Sequence, residues 1–313
     1  MRWLLVCLWM SGCAAEARLP FEGGPGSDPP WASAEGGQGW NDACHAESVT
    51  LAEIHSGLVK LGRPLTVRGL VASSRKFLLS QAQSGSCLWG AFAAGEGLAG
   101  AGSGLLLVSF GAEHAEGQLC APGTDGLPDG LEPGDALVVQ GALDEYAPAA
   151  CPGVTPAWQL RVDGACPVRR VGRDSPLQPS ELDAALATRL AAGREPRLLQ
   201  DWGGALVELR DVSALRDEAD GDAVFDYGVV RLAESTLEVH SRLYYYDLRA
   251  GGPGAAGKAP RLAYPVHFER LVGLIFLEHC RWVLGPRDFS ADMLTSQGRA
   301  PRGQSGEPGG SAG

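Results

Sequence analysis

Lysine is nearly absent from this chain. Only Lys60, Lys76 and Lys258 occur in 313 residues, and 26 Lys+Arg stand against 37 Asp+Glu, for a formal net charge of -11. That excess of negative charge repels phosphate backbones and anionic membranes at long range, so a general nucleic-acid binder is disfavoured before any motif is read. Catalytic signatures are missing too. The six His (His45, His55, His114, His240, His267 and His279) form neither H-x-H nor H-E-x-x-H. The one literal G-x-S-x-G, "GGSAG" (309–313), lies in the Gly-rich tail rather than between a strand and a helix, and no Cys sits in a recognisable protease context. "GEGLAG" (95–100) matches G-x-G-x-x-G, but a strand follows it where a dinucleotide site needs a helix N-terminus, so it reads as a hairpin loop. No paired acid/base or metal-ligating set points to a hydrolase, and no cofactor is implied.

What is present is ordinary globular composition, 45% hydrophobic and 20% charged, enough for one large domain or two small ones. The N-terminus reads as a processing segment. Met1-Arg2 supplies positive charge, "WLLVCLWM" is an apolar run too short to span a bilayer, and "MSGC" places Cys13 behind Ser11 and Gly12. This resembles a bacterial lipobox, with Met10 where Leu is usual. The resemblance implies that residues 1–12 are a signal peptide and that Cys13 is lipidated. The chain would then be exported and anchored in a lipid bilayer by its acylated N-terminus. Each buried methylene is worth about 0.8 kcal/mol, so several acyl chains would hold it stably. Ala14 rather than Asp after the Cys points to the outer membrane. The competing reading is a secretory signal cut near "CAAEA"; either way the chain is exported.

Export sets an oxidising context for cysteine. Apart from Cys7 and Cys13, six remain: Cys44, Cys87, Cys120, Cys151, Cys166 and Cys280. The pairing expected is Cys151–Cys166 and Cys87–Cys120, each closing a loop between neighbouring strands, with Cys44 and Cys280 left over.

Residues 13–43 are rich in Gly, Pro and Ala without periodicity and read as a flexible tether, and 296–313 as a disordered tail. Between them, short alternating strands separated by Gly/Pro turns fill 44–173 and 201–295. "QPSELDAALATRLAAG" (178–193), within a linker at 174–200, reads as a helix capped by Ser180 and ended by Gly193. "LTVRGLVAS" and "LVELRDVSAL" match as opening strands, with Asp211 in the place of Gly69. "VVQGALD" and "LVGLIFL" match as late strands with a glycine mid-strand. Glycine weakens a strand unless a bend, a bulge or a close backbone approach demands it. A five-stranded Greek-key barrel makes that demand where its first strand bends to pair with the fourth, so Gly69 and Gly141 are assigned to that pair.

The ordered set "LTVRGLVASS", "FLLSQA", "LEPGDALVVQGALDEY", "GALVELRDVSAL" and "LGPRDFSADM", over about 48–293, resembles the tandem OB-fold modules of secreted bacterial proteins. Such modules precede nucleases of the endonuclease/exonuclease/phosphatase type or stand alone in lipoproteins. The expected fold class is therefore mainly β: two small OB-like Greek-key β-barrels joined by a short helix-containing linker. No nuclease domain lies within these residues, so that activity is not carried over. The expected role is a non-catalytic binding or scaffolding module of the cell envelope, with an envelope protein or glycan as partner. The alternative is an accessory nucleic-acid binder. Candidate ligand contacts are Tyr244, Tyr246 and Trp282, with Tyr227, as aromatic faces, and Arg169, Arg170 and Arg173 as the basic cluster. Asp217, Glu218, Asp220, Asp222 and Asp226 read as a solvated acidic loop rather than a calcium site.

Overall fold

The computed structural model describes residues 46–81, 87–112, 120–121, 123, 125–147, 151–162, 164–173, 177–215, 229–245 and 265–295. Cys13, Cys44, the acidic stretch 216–228 and Tyr246 lie outside them. The protein is mainly β, with two sheets. The first contains β1 (Ser48–Val49), β2 (Pro64–Ala72), β3 (Phe77–Gln81), β4 (Cys87–Gly95), β5 (Gly104–Phe110), β6 (Asp135–Tyr146), β7 (Ala157–Val162) and β8 (Arg169–Arg173), with helix α1 (Leu51–His55) after β1. Its strands close on themselves in the order β2-β4-β5-β7-β6-β2, with β5 and β7 parallel and the other neighbours antiparallel. "GEGLAG" runs from the last residue of β4 into the loop at 96–103, which joins the antiparallel pair β4 and β5, as a hairpin loop must.

The second sheet contains β9 (Ser180–Glu181), β10 (Leu206–Ser213), β11 (Val229–Arg231), β12 (Glu238–His240), β13 (His267–Glu278), β14 (Arg281–Gly285) and β15 (Met293–Thr295). Helices α2 (Ala184–Ala192) and α3 (Pro196–Trp202) precede β10, α4 (Arg242–Tyr245) follows β12, and α5 (Phe289–Asp292) follows β14. Here β10 pairs with β13, β13 with β14, β14 with β12 in parallel, and β12 with β11. The antiparallel bridge Ala214↔Leu232 brings β11 back to the end of β10. The order first-second-third-fifth-fourth thus occurs twice, with the third and fifth strands parallel each time.

Gly69 carries the irregularity assigned to it. The β2–β6 register slips between Val67 and Leu70, and Gly69 has φ +65°, which bends β2 so that it reaches both β4 and β6. Asp211, its counterpart in β10, adopts φ 52° although it has a side chain. Gly141 answers to a different neighbour from the one expected. A methyl there would lie 2.3 Å from the Arg161 carbonyl oxygen, so the close approach is to β7 rather than β2.

The linker differs from its sequence reading. Ser180 is not the cap, because Ser180–Glu181 pairs in parallel with Val207 and Glu208 as an edge strand. Asp183 caps α2 instead, accepting a bond from Leu186 N at 2.6 Å, and Gly193 ends the helix at φ 66° as expected. Helix α3 starts at Pro196, where the missing N–H costs nothing. Leu182, Leu190 and Leu199 bury against the second sheet.

Cys87–Cys120 forms as expected, with Cα atoms 5.8 Å apart. Cys151 does not pair with Cys166. It bonds Cys280 across 129 residues, so Cys280 is not a free thiol. Cys166 is disulfide-bonded to a partner outside the described residues.

That second bond is one tie in a continuous seam between the sheets. Phe77, Phe92 and Val108 of the first pack with Val272, Leu274 and Phe276 of the second in one apolar cluster. Gly102 N donates to Asp201 O at 2.6 Å, and Arg197 Nη2 to His55 O at 2.5 Å. Arg242 donates to Leu79 O, and Arg287 Nη1 to Ser73 O at 3.2 Å. At the closest point two backbones touch: a methyl on Gly104 would lie 2.0 Å from the carbonyl carbon of Gly204. Gly104→Ala should therefore cost about 3 kcal/mol by urea denaturation, because the obstacle is backbone and cannot rotate away. Gly164→Ala, with nothing within 4 Å, should change stability by no more than about 0.5 kcal/mol. Equal effects would show that the seam is not tight at this point.

Candidate functional site

The charged side chains of the second sheet converge where its strand ends meet the 151–154 turn of the first. Glu238 lies directly opposite Arg231 on the antiparallel neighbour β11, and near the start of β14, which supplies Arg281. Its carboxylate is buried. Oε1 accepts from Arg281 Nη1 at 2.5 Å and lies 3.4 Å from Arg231 Nε, while Oε2 is 3.5 Å from His240 Nε2. Both guanidinium groups remain mostly exposed, so two cations form a lip over one buried anion.

A second buried carboxylate continues the network. Glu278 accepts from Arg242 Nη1 at 2.5 Å and lies 3.4 Å from His279 Nδ1. His240 sits between the two glutamates and 6.2 Å from the His279 ring. Burial pushes its pKa below the usual value, and the negative charges of Glu278 and Glu238 only partly oppose that. Burial raises the Tyr146 phenol, and the Glu278 charge adds to this.

A hollow of about 430 Å³ opens beside the network. Ala191–Gly193 at the end of α2, the Cys151–Val154 turn, Thr236 and the Cys280–Arg281 segment line it. A second hollow of about 540 Å³ adjoins it and shares Thr236, Glu238 and Arg281. Together they form a groove whose central ionic group is Glu238 with its two arginines. Arg231 and Arg281 against Glu234 and Glu238 leave the groove lining with balanced charge, in a protein whose formal net charge is -11. Among the described residues, no group of three His, Cys, Asp or Glu side chains is placed to hold a metal ion.

The residues singled out in the sequence do not assemble into one site. Trp282 is 1% exposed and packs under Gly203 in the second core, so it floors the groove without offering a face to a ligand. Tyr244 lies in α4, not on a strand, so strand alternation does not decide where it and Tyr245 point. Tyr227 and Tyr246 fall outside the described residues. Arg169, Arg170 and Arg173 do share a strand, the exposed β8, which pairs with β6. Arg170 is occupied, donating to Gly130 O at 3.0 Å and lying 3.5 Å from Asp135. His279 and Cys280 are the tip of the β13–β14 hairpin, both at positive φ (44° and 65°). Glu238, Arg231 and Arg281 escaped the sequence reading because they are dispersed; the one available signal was the alternation of Glu238 and His240 in "LEVH".

A second histidine, His55, is buried in the seam. Its Nε2 bonds Gly104 O at 2.9 Å, and burial lowers its pKa more than Asp201 raises it. Both groups therefore resist protonation when folded but titrate near 6.5 when unfolded. Their contribution to stability is complete above pH 6.5 and is lost as pH falls from there through the depressed folded values. The urea midpoint should drop between pH 7.5 and 5.5, with a slope of up to about 1.4 kcal/mol per pH unit for each histidine. His240→Gln should remove its share of this slope and leave that of His55, and a midpoint indifferent to pH over that span would contradict the assignment.

No protein-family model matches the chain, and no curated protein matches it.

Proposed function

We propose that the chain is an exported lipoprotein, anchored through Cys13, whose two sheets are OB-like Greek-key barrels acting together as a non-catalytic binding module. The observation that carries this reading is the strand order, first-second-third-fifth-fourth with a parallel third and fifth strand, found in both halves. Barrels of this type take oligosaccharides and oligonucleotides on the face of their second and third strands, between the loops that join the first strand to the second and the fourth to the fifth; the fourth-to-fifth turns are the part of that surface found here. The groove lies beside these turns. One wall is the turn between β6 and β7, which carries Cys151, and another is the tip between β13 and β14, which carries Cys280. Arg231 and Arg281 offer donors to hydroxyl or carboxylate groups. The strongly acidic chain opposes a polyphosphate, so we assign the groove to a glycan or to a segment of an envelope protein. Disulfide bonds among the described residues fit an oxidising compartment.

The test is retention of labelled glycans and of labelled single-stranded DNA by residues 14–313 across a salt series. The reading expects glycan retention that falls at least about tenfold in the Arg231→Ala/Arg281→Ala variant, consistent with loss of charge-assisted hydrogen bonds. It expects no DNA retention at low salt. DNA affinity that falls steeply with salt and disappears on Arg169→Glu/Arg173→Glu would replace it with the nucleic-acid reading. For the anchor, Cys13→Ala should abolish palmitate labelling in cells and release the chain from the membrane fraction. Labelling that survives the change would rule out Cys13.

A further inference from the structure

The two disulfides with both cysteines among the described residues have opposite settings. Cys87–Cys120 is sealed in the first core, with both residues buried and packed among its apolar side chains. Cys151–Cys280 lies at the surface, and its two ends differ. Cys151 is buried, whereas Cys280 is exposed at the tip of a two-residue hairpin turn and opens onto the 430 Å³ hollow. Cys280 and the exposed His279 before it hold positive φ without being glycine, a conformation that L-residues adopt at a cost and that clusters at functional sites. The exposed Arg281 follows immediately, so an approaching thiolate meets a cation, while both nearby carboxylates are already paired to arginines.

We infer that Cys151–Cys280 is a thiol–disulfide exchange site, attacked at Cys280 Sγ by a small thiol or by the thiolate of a redox protein. The attacking thiolate forms a new S–S bond to Cys280, the Cys151–Cys280 bond breaks, and the electron pair leaves on Cys151 as a thiolate. A second thiolate then attacks the reagent sulfur of this mixed disulfide and Cys280 leaves as a thiolate, giving the oxidised disulfide of the reagent and two protein thiols, a two-electron reduction. Cys280 is the exposed residue of the pair and Cys151 the buried one, and this sets the direction, since exchange rates depend on which sulfur can be reached. Reducing Cys87–Cys120 instead requires the first core to open. Once the surface bond is cut, the sheets remain joined by the apolar cluster, the glycine contact and the arginine–carbonyl bonds. The exchange is therefore a local event in a folded molecule, and it does not depend on what the groove binds.

The experiment treats the folded chain with graded reduced glutathione at pH 7.5, quenches with acid, alkylates and maps peptides by mass spectrometry. Circular dichroism monitors the fold in parallel. Free Cys151 and Cys280 should appear at least about tenfold faster than free Cys87 and Cys120, with the circular dichroism unchanged. The glutathione adduct should sit on Cys280, with Cys151 recovered as the alkylated thiol. Equal rates for the two bonds, release only together with loss of the fold, or an adduct mainly on Cys151 would each overturn the inference.

Discussion

The backbone contact between Gly104 and Gly204 fixes how the two halves of this protein meet. With a side chain at either position, the start of β5 and the approach to β10 would have to separate, and the neighbouring contacts would separate with them. Gly102 N reaches Asp201 O because the chains are already that close. Nearby, His55 bonds Gly104 O from one side, while Trp282 fills the space beneath Gly203 on the other. The pair of sheets therefore behaves as one packed body, and the linker that joins them in sequence is part of the second core. A groove walled by both halves can keep a constant shape only under that condition.

Burial of charge follows a consistent rule. Lys76 is fully buried, yet its ammonium meets Asp125 at 2.5 Å, Asp129 at 2.6 Å and Leu127 O at 3.1 Å, and lies 4.8 Å from the centroid of Trp89. Burial raises the Asp125 pKa, and the hydrogen bond from Lys76 opposes it. Glu208, Glu238 and Glu278 are likewise buried against arginine. Removing one member of such a set leaves an uncompensated charge, which costs about 3–5 kcal/mol, whereas the intact set adds little net stability. These groups specify an arrangement more than they strengthen it.

The local features of this fold were legible in the sequence. The alternating strands, the repeated opening and late strands, the bend at Gly69 and the αL stop at Gly193 all rest on short-range stereochemistry, which a single sequence records. The positive φ at Asp211 shows how far the repeat reaches: the backbone keeps the conformation even where glycine has been replaced. What the sequence hid depends on distance. Cys151 lies close to Cys166 along the chain, but its partner is 129 residues away, and nothing local marks Cys280. Ser180 carried a good capping signal that lost to pairing with β10, a tertiary contact. The turn at His279-Cys280 lacks the Asn-Gly or Asp-Gly that positive φ normally selects, so nothing in the sequence marks it. The cluster around Glu238 draws its members from β11, β12 and β14, so no motif spacing could announce it.

The scarcity of lysine acquires a structural sense at the seam. Three arginines of the second half each bind a carboxylate in their own half and a backbone carbonyl in the first. Arg242 joins Glu278 to Leu79 O, Arg287 joins Asp292 to Ser73 O, and Arg197 joins Asp201 to His55 O. A guanidinium presents several donors in a fixed plane, so the carboxylate orients the group while a donor remains for the neighbouring half. A lysine ammonium sits on a flexible stem with no planar fork, and a carboxylate that holds it does not aim its remaining protons. The two halves are thus cross-linked by a side chain whose geometry transmits position, and the same residue type forms the lip of the groove. An acidic chain that spends nearly all its positive charge as arginine can concentrate it where two surfaces, or a surface and a ligand, must be held at a defined angle.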